Sequence, residues 1–259
     1  DIKMKNKYFI LMGNNKMESI DNVVFVFPLK GLVVGMEREY SIQEIPSNSC
    51  VYVNRILDNE ALDYFKSIRG ELEERVSSII FEDLGLYWTL KESNSHIKCI
   101  FAPSHALCSE LARDVYLEYM DKAIISPDLT IEETKNIIND ETGVYLYGHL
   151  PVMYSRRFLV SNYEKVNNLE ITDTLTIHEP IKKKDFFLVE NEYGTVVYDN
   201  DIYNGNELLG DAPFYLINLE WIKISSLGDF LKSLEEEPPT YTGFLHEKTI
   251  YKLPPREDV

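Results

Sequence analysis

The sequence predicts an α/β protein built as a TIM-like (β/α)8 barrel. Short runs of β-branched and aromatic residues alternate with stretches whose apolar residues recur at helical spacing, which is the pattern of β/α alternation. Most of the short runs are apolar throughout, as expected of parallel strands covered on both faces. The length of 259 residues fits one such barrel. We therefore expect a single barrel domain over residues 1–259.

Eight segments are the expected barrel strands. In chain order they are YFILM (8–12), VVFVF (23–27), VYVN (51–54), SIIF (78–81), IKCIF (97–101), KAII (122–125), VYLY (144–147) and FYLINL (214–219). An open doubly wound sheet fits the same alternation and remains the competing fold. No glycine-rich GxGxxG follows the first strand, which weakens a dinucleotide-binding version of that sheet.

The stretches between the strands carry helix signals. Asp58 is a candidate N-cap for a helix after the third strand. Thr130 and Glu133 form a capping box, in which each side chain bonds the other residue's backbone amide. A further helix is expected over Ser104 to Leu117, and the barrel is expected to be irregular near Gly31 to Gly35.

One region interrupts the rhythm. FFLVENEYGTVVYDN (186–200) alternates at period two around a turn at Tyr193-Gly194, which predicts a β-hairpin. We expect residues 165–200 to be an insertion between the last two barrel strands. Paired prolines after Glu235 predict an extended C-terminal tail over 235–259.

Composition narrows the classes of partner and compartment. The net charge of −17 disfavours binding to nucleic acid and to an anionic membrane surface. Three cysteines without CxxC spacing, Cys50, Cys99 and Cys108, fit free thiols in a reducing compartment. With no long apolar run and no signal-peptide pattern, we expect a cytoplasmic protein.

Residues at the carboxyl ends of barrel strands line the mouth, where barrel enzymes have their active sites. These are Asn54, Arg55, Glu82, Asp83, Ser104, His105, Ser126, Gly148 and His149. Glu82 and Asp83 are neighbours on an extended chain, so at most one faces the mouth while the other braces a loop or caps the next helix. The one that faces the mouth is a candidate general base; a structural salt bridge is the alternative.

Two further groups are candidates. His149, directly after a strand, is suited to proton transfer or ligand contact, although a lone histidine is more often structural. Arg156 and Arg157 follow Tyr154 and Ser155, and together these side chains predict a pocket for a small carboxylate or phosphate. The structural alternative is that one arginine ties loop carbonyls together while the other is solvated.

The sequence has none of the common catalytic or metal-binding motifs. It contains no HExxH, HxH or paired CxxC, so we expect neither a metal nor an iron–sulfur cofactor. It contains no GxSxG elbow and no cysteine–histidine nucleophile motif. The residues alone identify no nucleophile for peptide hydrolysis.

Five segments resemble the collagenase-like peptidase family U32. They are VYVNRILDNEAL, IIFEDLGL, IISPDLTIEE, GHLPVMYSRRFLVS and TYTGFL. The fourth is similar to the family hallmark, usually H-G-x-L-C-x-x-[YF]-S-G-x-C-x-[LM]-S. The resemblance spans about residues 50 to 250 and implies a peptidase-like hydrolase of unassigned catalytic type.

The chain departs from the hallmark at the cysteines. Pro151 and Phe158 stand at the two cysteine positions, and Arg156 replaces the glycine between them. Family members that hydroxylate RNA or quinone hold an iron–sulfur cluster on four cysteines, so the resemblance implies that this chain holds no such cluster. Tyr154, Ser155, Arg157 and Ser161 remain as candidate ligand-binding residues.

Three functions follow as hypotheses. The first is a hydrolase with Glu82, Asp83 and His149 as catalytic candidates at the mouth, acting on a peptide. The second is a cluster-free barrel that binds a small carboxylate metabolite through Arg157, or that serves as partner of a cysteine-complete family member. The third, an accessory to RNA modification, is disfavoured by the negative charge.

Overall fold

Each of the eight expected segments forms a strand in the structure, a computed structural model that describes residues 6–170, 174–181 and 183–247. The strands are β1 (Tyr8–Leu11), β2 (Val23–Pro28), β3 (Ser49–Val53), β4 (Val76–Phe81), β5 (Lys98–Phe101), β6 (Lys122–Ile125), β7 (Thr142–Ser155), β8 (Leu175–Glu179), β9 (Lys184–Asn191), β10 (Gly194–Asn204) and β11 (Tyr215–Asn218). The helices are α1 (Asn59–Arg75), α2 (Leu84–Glu92), α3 (Glu110–Leu117), α4 (Ile131–Ile137), α5 (Leu159–Asn167) and α6 (Leu227–Glu236).

Strands β1 to β7 and β11 close into a parallel barrel. Each of β1 to β6 pairs in parallel with the strand that follows it, and β11 pairs in parallel with both β1 and β7. Tyr215 is the shared point of closure, since it aligns with Tyr8 on one side and Val144 on the other. The predicted (β/α)8 barrel is confirmed, and closure excludes the open-sheet alternative.

The part of the barrel interior below the carboxyl ends of the strands is apolar. Alternate residues of the barrel strands point inward and pack into one cluster, which includes Phe9, Val26, Ile80, Ile100 and Leu216. The outward residues of the same strands form two larger clusters with the helices. The interior is therefore a filled core, and room for a ligand is left only toward the mouth.

Two predicted caps are present and one predicted helix is shorter. The Asp58 side chain accepts the Ala61 backbone N–H at 2.9 Å, and Thr130 and Glu133 form the expected capping box. The helix expected over Ser104 to Leu117 begins only at Glu110, after an N-cap at Ser109. Residues 104–106 form a turn instead, in which the Ala106 N–H donates to the Pro103 carbonyl at 2.6 Å.

The first two crossovers lack α-helices. Residues 12–22 and 29–48 contain turns, bends, an isolated β-bridge between Leu29 and Tyr40, and a short 3₁₀ segment at Ile42–Glu44. Gly31 and Gly35 have φ values of +85° and +77°, a left-handed backbone region that favours glycine. The irregularity expected there is thus present, and the resulting loop reaches over the mouth.

The segment after β7 builds a small antiparallel sheet onto the barrel. β9 and β10 form a hairpin in which Asn191 pairs with Gly194, and β8 pairs with β9. β10 also pairs with the second half of β7, which continues as a strand beyond the barrel to Ser155. The family hallmark segment is therefore a strand that overhangs the mouth.

The C-terminal segment differs from the extended tail expected from Glu235. Glu235 and Glu236 are the last residues of α6, and the Tyr241 carbonyl accepts the Asn204 N–H at 2.8 Å. Residues 248–259 of the expected tail lie outside the described residues. All three cysteines are free thiols. In the described part of the chain, no helix combines the length and apolarity needed to cross a membrane.

Candidate active site at the barrel mouth

A polar layer lies above the apolar core at the carboxyl ends of the barrel strands. The inward alternation that places Ile80 in the core places Glu82 two residues further toward the mouth. The same step places Tyr52 above Cys50 and Asn218 above Leu216. These side chains open into a cavity of about 240 Å³.

Glu82 is the acidic group inside this cavity. Burial raises the pKa of its carboxyl to about 7, although a hydrogen bond from Ser104 and the nearby His105 act in the opposite direction. The Ser104 hydroxyl donates to Glu82 Oε1 at 2.8 Å. A carboxyl group with a pKa near neutrality can accept and release a proton at physiological pH.

A histidine–aspartate pair stands at the rim of the same cavity. His105 Nδ1 lies 2.5 Å from Asp128 Oδ2, and both residues line the cavity. The hydrogen bond to Asp128 raises the pKa of His105, which favours the imidazolium form. The mouth therefore combines a carboxyl that is held partly neutral with an imidazole that is held partly charged.

Tyr52 adds a hydrogen-bond donor to the cavity. Among the described residues its hydroxyl has no hydrogen-bond partner, and burial raises its pKa well above the usual range of tyrosine. It therefore keeps its proton and can donate to a bound oxygen. The neighbouring Tyr145 hydroxyl is engaged, since it donates to the His149 carbonyl at 3.1 Å.

The inserted hairpin supplies one wall of the cavity. Val196 and Tyr198 of β10 line it, opposite Ile124 of the barrel interior. Tyr198 is buried and donates its hydroxyl to the Gly35 carbonyl at 3.1 Å, which links the insertion to the loop after β2. The insertion thus completes the site.

Asp83 points away from the mouth. Its Oδ1 accepts the Gly85 N–H at 2.7 Å as the N-cap of α2, and its Oδ2 accepts the Leu57 N–H at 3.1 Å. Of the two adjacent carboxylates, the structure places Glu82 in the cavity and gives Asp83 the capping position.

Asn54 and Arg55 are engaged with the backbone. The Asn54 side-chain amide makes a pair of 2.9 Å hydrogen bonds with the N–H and carbonyl of Val34. Arg55 donates to the Gly31 carbonyl at 2.9 Å and stacks 3.8 Å from the centre of the Tyr193 ring. Asn54 borders the cavity, whereas Arg55 lies in a separate surface groove.

His149 is buried behind the wall formed by β7. Its Nδ1 lies 2.9 Å from the Asp199 carbonyl oxygen, and its ring packs edge-on against Phe187 of the insertion. Burial lowers its pKa, so it is neutral at physiological pH. His149 is absent from the residues that line the mouth cavity, and its contacts are those of a packing residue.

The hallmark side chains do not converge on one anion pocket. Tyr154 borders the cavity and donates to the Tyr193 carbonyl at 3.2 Å, while the Ser155 hydroxyl accepts the Arg157 N–H. Arg156 lies 2.6 Å from the Asp58 carboxylate. The Arg157 side chain is exposed, lies outside the cavity and has no ion-pair partner in the described residues.

Ser161 is hydrogen-bonded to a carboxylate of the same chain, that of Glu190. Its hydroxyl donates to the Glu190 carboxylate, which also accepts the N–H groups of Val160 at 2.8 Å and Ser161 at 3.1 Å. Thr195 donates to the same carboxylate at 2.8 Å. Glu190 therefore occupies the N-terminus of α5, where an external anion would otherwise bind.

The residues do not fit an iron–sulfur cluster. Pro151 and Phe158 have no ligand atoms, and the three cysteines lie apart, on β3, on β5 and before α3. In the described ranges no group of three or more His, Cys, Asp or Glu side chains is placed to hold a metal.

Fold and site together define an α/β-barrel protein with an acid–base cavity at the mouth. Residues 40–170 of the 259 match the model of peptidase family U32, so the chain belongs to that family. The match contains Glu82, Ser104, His105 and the hallmark strand. The hairpin that supplies Tyr198 lies beyond it.

Comparison with curated proteins gives no match. Among solved structures, the chitinase from Chromobacterium violaceum ATCC 12472 is similar at 9% identity and a TM-score of 0.31, over 76% of this chain and 82% of that one. A similarity of this size carries no functional argument.

Sequence reasoning missed several cavity residues, among them Tyr52, Asp128 and Tyr198. Tyr52 was detectable, because inward alternation from Asn54 along β3 leads back to it. Asp128 was also detectable, since it follows the carboxyl end of β6 by three residues, as Ser104 follows β5. Tyr198 was not detectable, since β10 reaches the mouth through its pairing with β7.

Proposed function

We propose that the protein is a peptidase-like hydrolase that cleaves an amide bond in the mouth cavity, with Glu82 transferring the proton. The observation that carries this proposal is the Glu82 carboxyl, which faces the cavity with a pKa of about 7 and a hydrogen bond from Ser104. Membership of peptidase family U32 supports the reaction class.

The proposed reaction follows from the positions of the polar groups. Ionised Glu82 takes a proton from a water molecule as the water oxygen bonds to the amide carbon. The carbon–nitrogen bond then breaks, and Glu82 gives the proton to the leaving nitrogen, so that the products are a carboxylic acid and an amine. Tyr52, whose hydroxyl stays protonated, donates to the oxyanion that forms during the attack.

Ser104 and the His105–Asp128 pair act on Glu82 indirectly. The Ser104 hydroxyl lowers the pKa of Glu82 and fixes the orientation of its carboxylate, which makes Ser104 a positioning residue. Positive charge on His105 also lowers the pKa of Glu82. The carboxylate-metabolite alternative receives no such support, because Arg157 lies outside the cavity.

The test is peptide cleavage by the purified chain and by matched variants. We expect cleavage of a peptide library by the wild type, and a loss of roughly 10²-fold to 10⁴-fold in kcat/KM for Glu82→Gln, the usual range for a proton-transfer group. Glu92→Gln is the control, since Glu92 is exposed at the far end of α2 from the mouth. Because Glu82 must be ionised, the wild-type rate should rise with pH through about 7.

Ser104→Ala separates a positioning role from a merely structural one. Losing the hydroxyl removes a group that lowers the pKa of Glu82, so the rising limb of the pH profile should move to higher pH. The proposal is wrong if the wild type leaves casein, gelatin and the library uncut with and without divalent metals, or if Glu82→Gln is fully active.

A further inference from the structure

The charges that line the mouth cavity are mostly negative. Glu82 and Asp128 are its acidic residues, and among the residues that the structure describes no lysine or arginine lines the cavity. The one basic lining side chain, His105, is already paired with Asp128. A ligand that enters the cavity therefore meets a carboxyl group and no free cation.

The two guanidinium groups near the cavity already have interaction partners outside it. Arg55 is held by the Gly31 carbonyl and the Tyr193 ring, and Arg156 by the Asp58 carboxylate. These contacts lie in a groove outside the cavity. A carboxylate inside the mouth would have no arginine within the cavity lining to neutralise it.

The entrance to the cavity is apolar. Ile56, Val152 and Met153 line the cavity and are 49%, 49% and 45% exposed, so they form an apolar rim that is open to solvent. Ile124 and Leu216, which belong to the apolar core below the polar layer, form the floor of the cavity. An apolar side chain that enters here gains burial on all sides.

We infer that the mouth cavity binds an apolar group that carries a neutral amide or an amine, and that it rejects the same group when it carries a carboxylate. The inference rests on the proposed function in taking this cavity as the substrate site. It assigns the substrate class: an apolar amino-acid side chain beside an uncharged peptide group.

A neutral amide complements both polar groups at the end of the cavity. Its N–H donates to the Glu82 carboxylate, and its oxygen accepts from the Tyr52 hydroxyl, which has no other partner in the described residues. An amine satisfies Glu82 alone. A carboxylate satisfies Tyr52 but repels Glu82 unless Glu82 first takes up a proton.

Several titratable groups surround Glu82. Ser104 follows β5, His105 stands with Asp128 at the rim, and Tyr52 and Tyr198 face it from β3 and β10. The tyrosine pKa values are raised well above 10, so these residues remain neutral below that pH. Glu220, a buried carboxyl whose pKa is also raised to about 7, acts through its charge on Tyr52 and Tyr198. Around neutral pH, changes in ligand preference therefore report on Glu82, His105 and Glu220, and Glu82→Gln separates Glu82 from the other two.

The experiment compares three ligands that share one alkyl chain: isocaproamide, isohexylamine and isocaproate. Affinity is measured by ligand-observed NMR titration at about pH 8 and about pH 6. At the higher pH, protonating a group of pKa about 7 costs about tenfold in affinity, so the carboxylate should bind at least about tenfold more weakly than the amide. At the lower pH this penalty should nearly vanish.

Three variants test which residue causes the discrimination between the ligands. Glu82→Gln should remove most of the discrimination against the carboxylate at the higher pH and weaken binding of the amine. Ala102→Leu, which fills the cavity, should weaken all three ligands. Arg157→Ala should change none of the three affinities, because Arg157 lies outside the cavity.

Tightest binding of isocaproate, together with its loss in Arg157→Ala, would overturn the inference, as would discrimination that survives Glu82→Gln unchanged. The outcome is separable from that of the proposed function. Selective binding without peptide cleavage supports the inference and contradicts the hydrolase, whereas cleavage without charge selectivity does the reverse.

Discussion

The guanidinium of Arg156 lies 2.6 Å from the carboxylate of Asp58, which is also the N-cap of α1. The contact joins the residue that follows the hallmark strand to a helix cap 98 positions earlier in the chain. An arginine that looked available for a ligand is thus paired with a carboxylate of the same protein. The hallmark strand has no cysteine in this chain, and this ion pair is one of the contacts that hold the end of the strand against the barrel.

Asp58 is expected to matter more for stability than Arg156. Asp58→Ala removes both the cap to Ala61 and the ion pair, whereas Arg156→Ala removes only a partly exposed ion pair. Urea unfolding should show the larger loss for Asp58→Ala. Asp58→Asn, which keeps a capping oxygen, should resemble Arg156→Ala; a larger loss for Arg156→Ala than for Asp58→Ala would contradict this ranking.

Glu190 is expected to stabilise the start of α5. Its carboxylate accepts N–H groups of Val160 and Ser161, so Glu190→Ala should lower the free energy of unfolding by about 1 kcal/mol, the usual effect of losing an N-terminal cap. Glu190→Gln keeps the acceptor oxygen and should lose about half as much, through the lost charge at the helix N-terminus. Urea unfolding at neutral pH measures both values.

The Glu190 carboxylate should also make the free energy of unfolding depend on pH. Burial alone would raise the pKa of Glu190, but hydrogen bonds from Ser161, Thr195 and the backbone of α5 lower it. Its contribution is therefore present above the pKa of an unfolded glutamate and is lost as pH falls through the lowered folded value. Equal acid sensitivity of the wild type and Glu190→Gln would contradict this assignment.

Two glycine substitutions should act in opposite directions. A Cβ on Gly194, at φ +138°, would lie 2.2 Å from the Ser155 carbonyl oxygen, so Gly194→Ala should destabilise the protein by roughly 2 kcal/mol or more. Gly70 lies inside α1 with nothing within 4 Å of its Cβ position, so Gly70→Ala should stabilise it by about 0.5–1 kcal/mol. Thermal unfolding of both variants tests the contrast, and changes of the same sign would contradict it.

The barrel was predictable because its signals are local. Each strand is a short apolar run, and caps such as Asp58 and Thr130 depend on residues three positions away. The extended β7 was not predictable, because its second half is a strand only through pairing with β10. The period-two pattern of 186–200 predicts the hairpin but not the strand that the hairpin joins, so it does not indicate that Val196 pairs with Tyr154.

The candidate site was predictable only in part, for a related reason. Strand ends identified Glu82, Ser104 and His105, because parallel strands bring their carboxyl ends to one mouth. The sequence could not show whether the side chains of the predicted anion pocket are free to bind a ligand. Whether Arg156 or Ser161 is available depends on carboxylates such as Asp58 and Glu190, which are distant in sequence and adjacent only in the fold.

Two buried carboxyl groups should make the protein less stable as pH rises. Burial raises the pKa values of Glu82 and Glu220 from 4.5 to about 7, so the folded protein holds protons that the unfolded chain releases. Between those pH values the free energy of unfolding should fall, by about 3 kcal/mol for each group.

Glu220→Gln isolates the contribution of one of the two carboxyl groups. Its amide oxygen can still accept the Glu37 N–H, and the Oε1 position, unpartnered in the described residues, no longer carries charge. Urea unfolding should therefore show a shallower pH dependence in Glu220→Gln and greater stability than the wild type at about pH 8; parallel curves would show that Glu220 is ionised in the folded protein throughout this range.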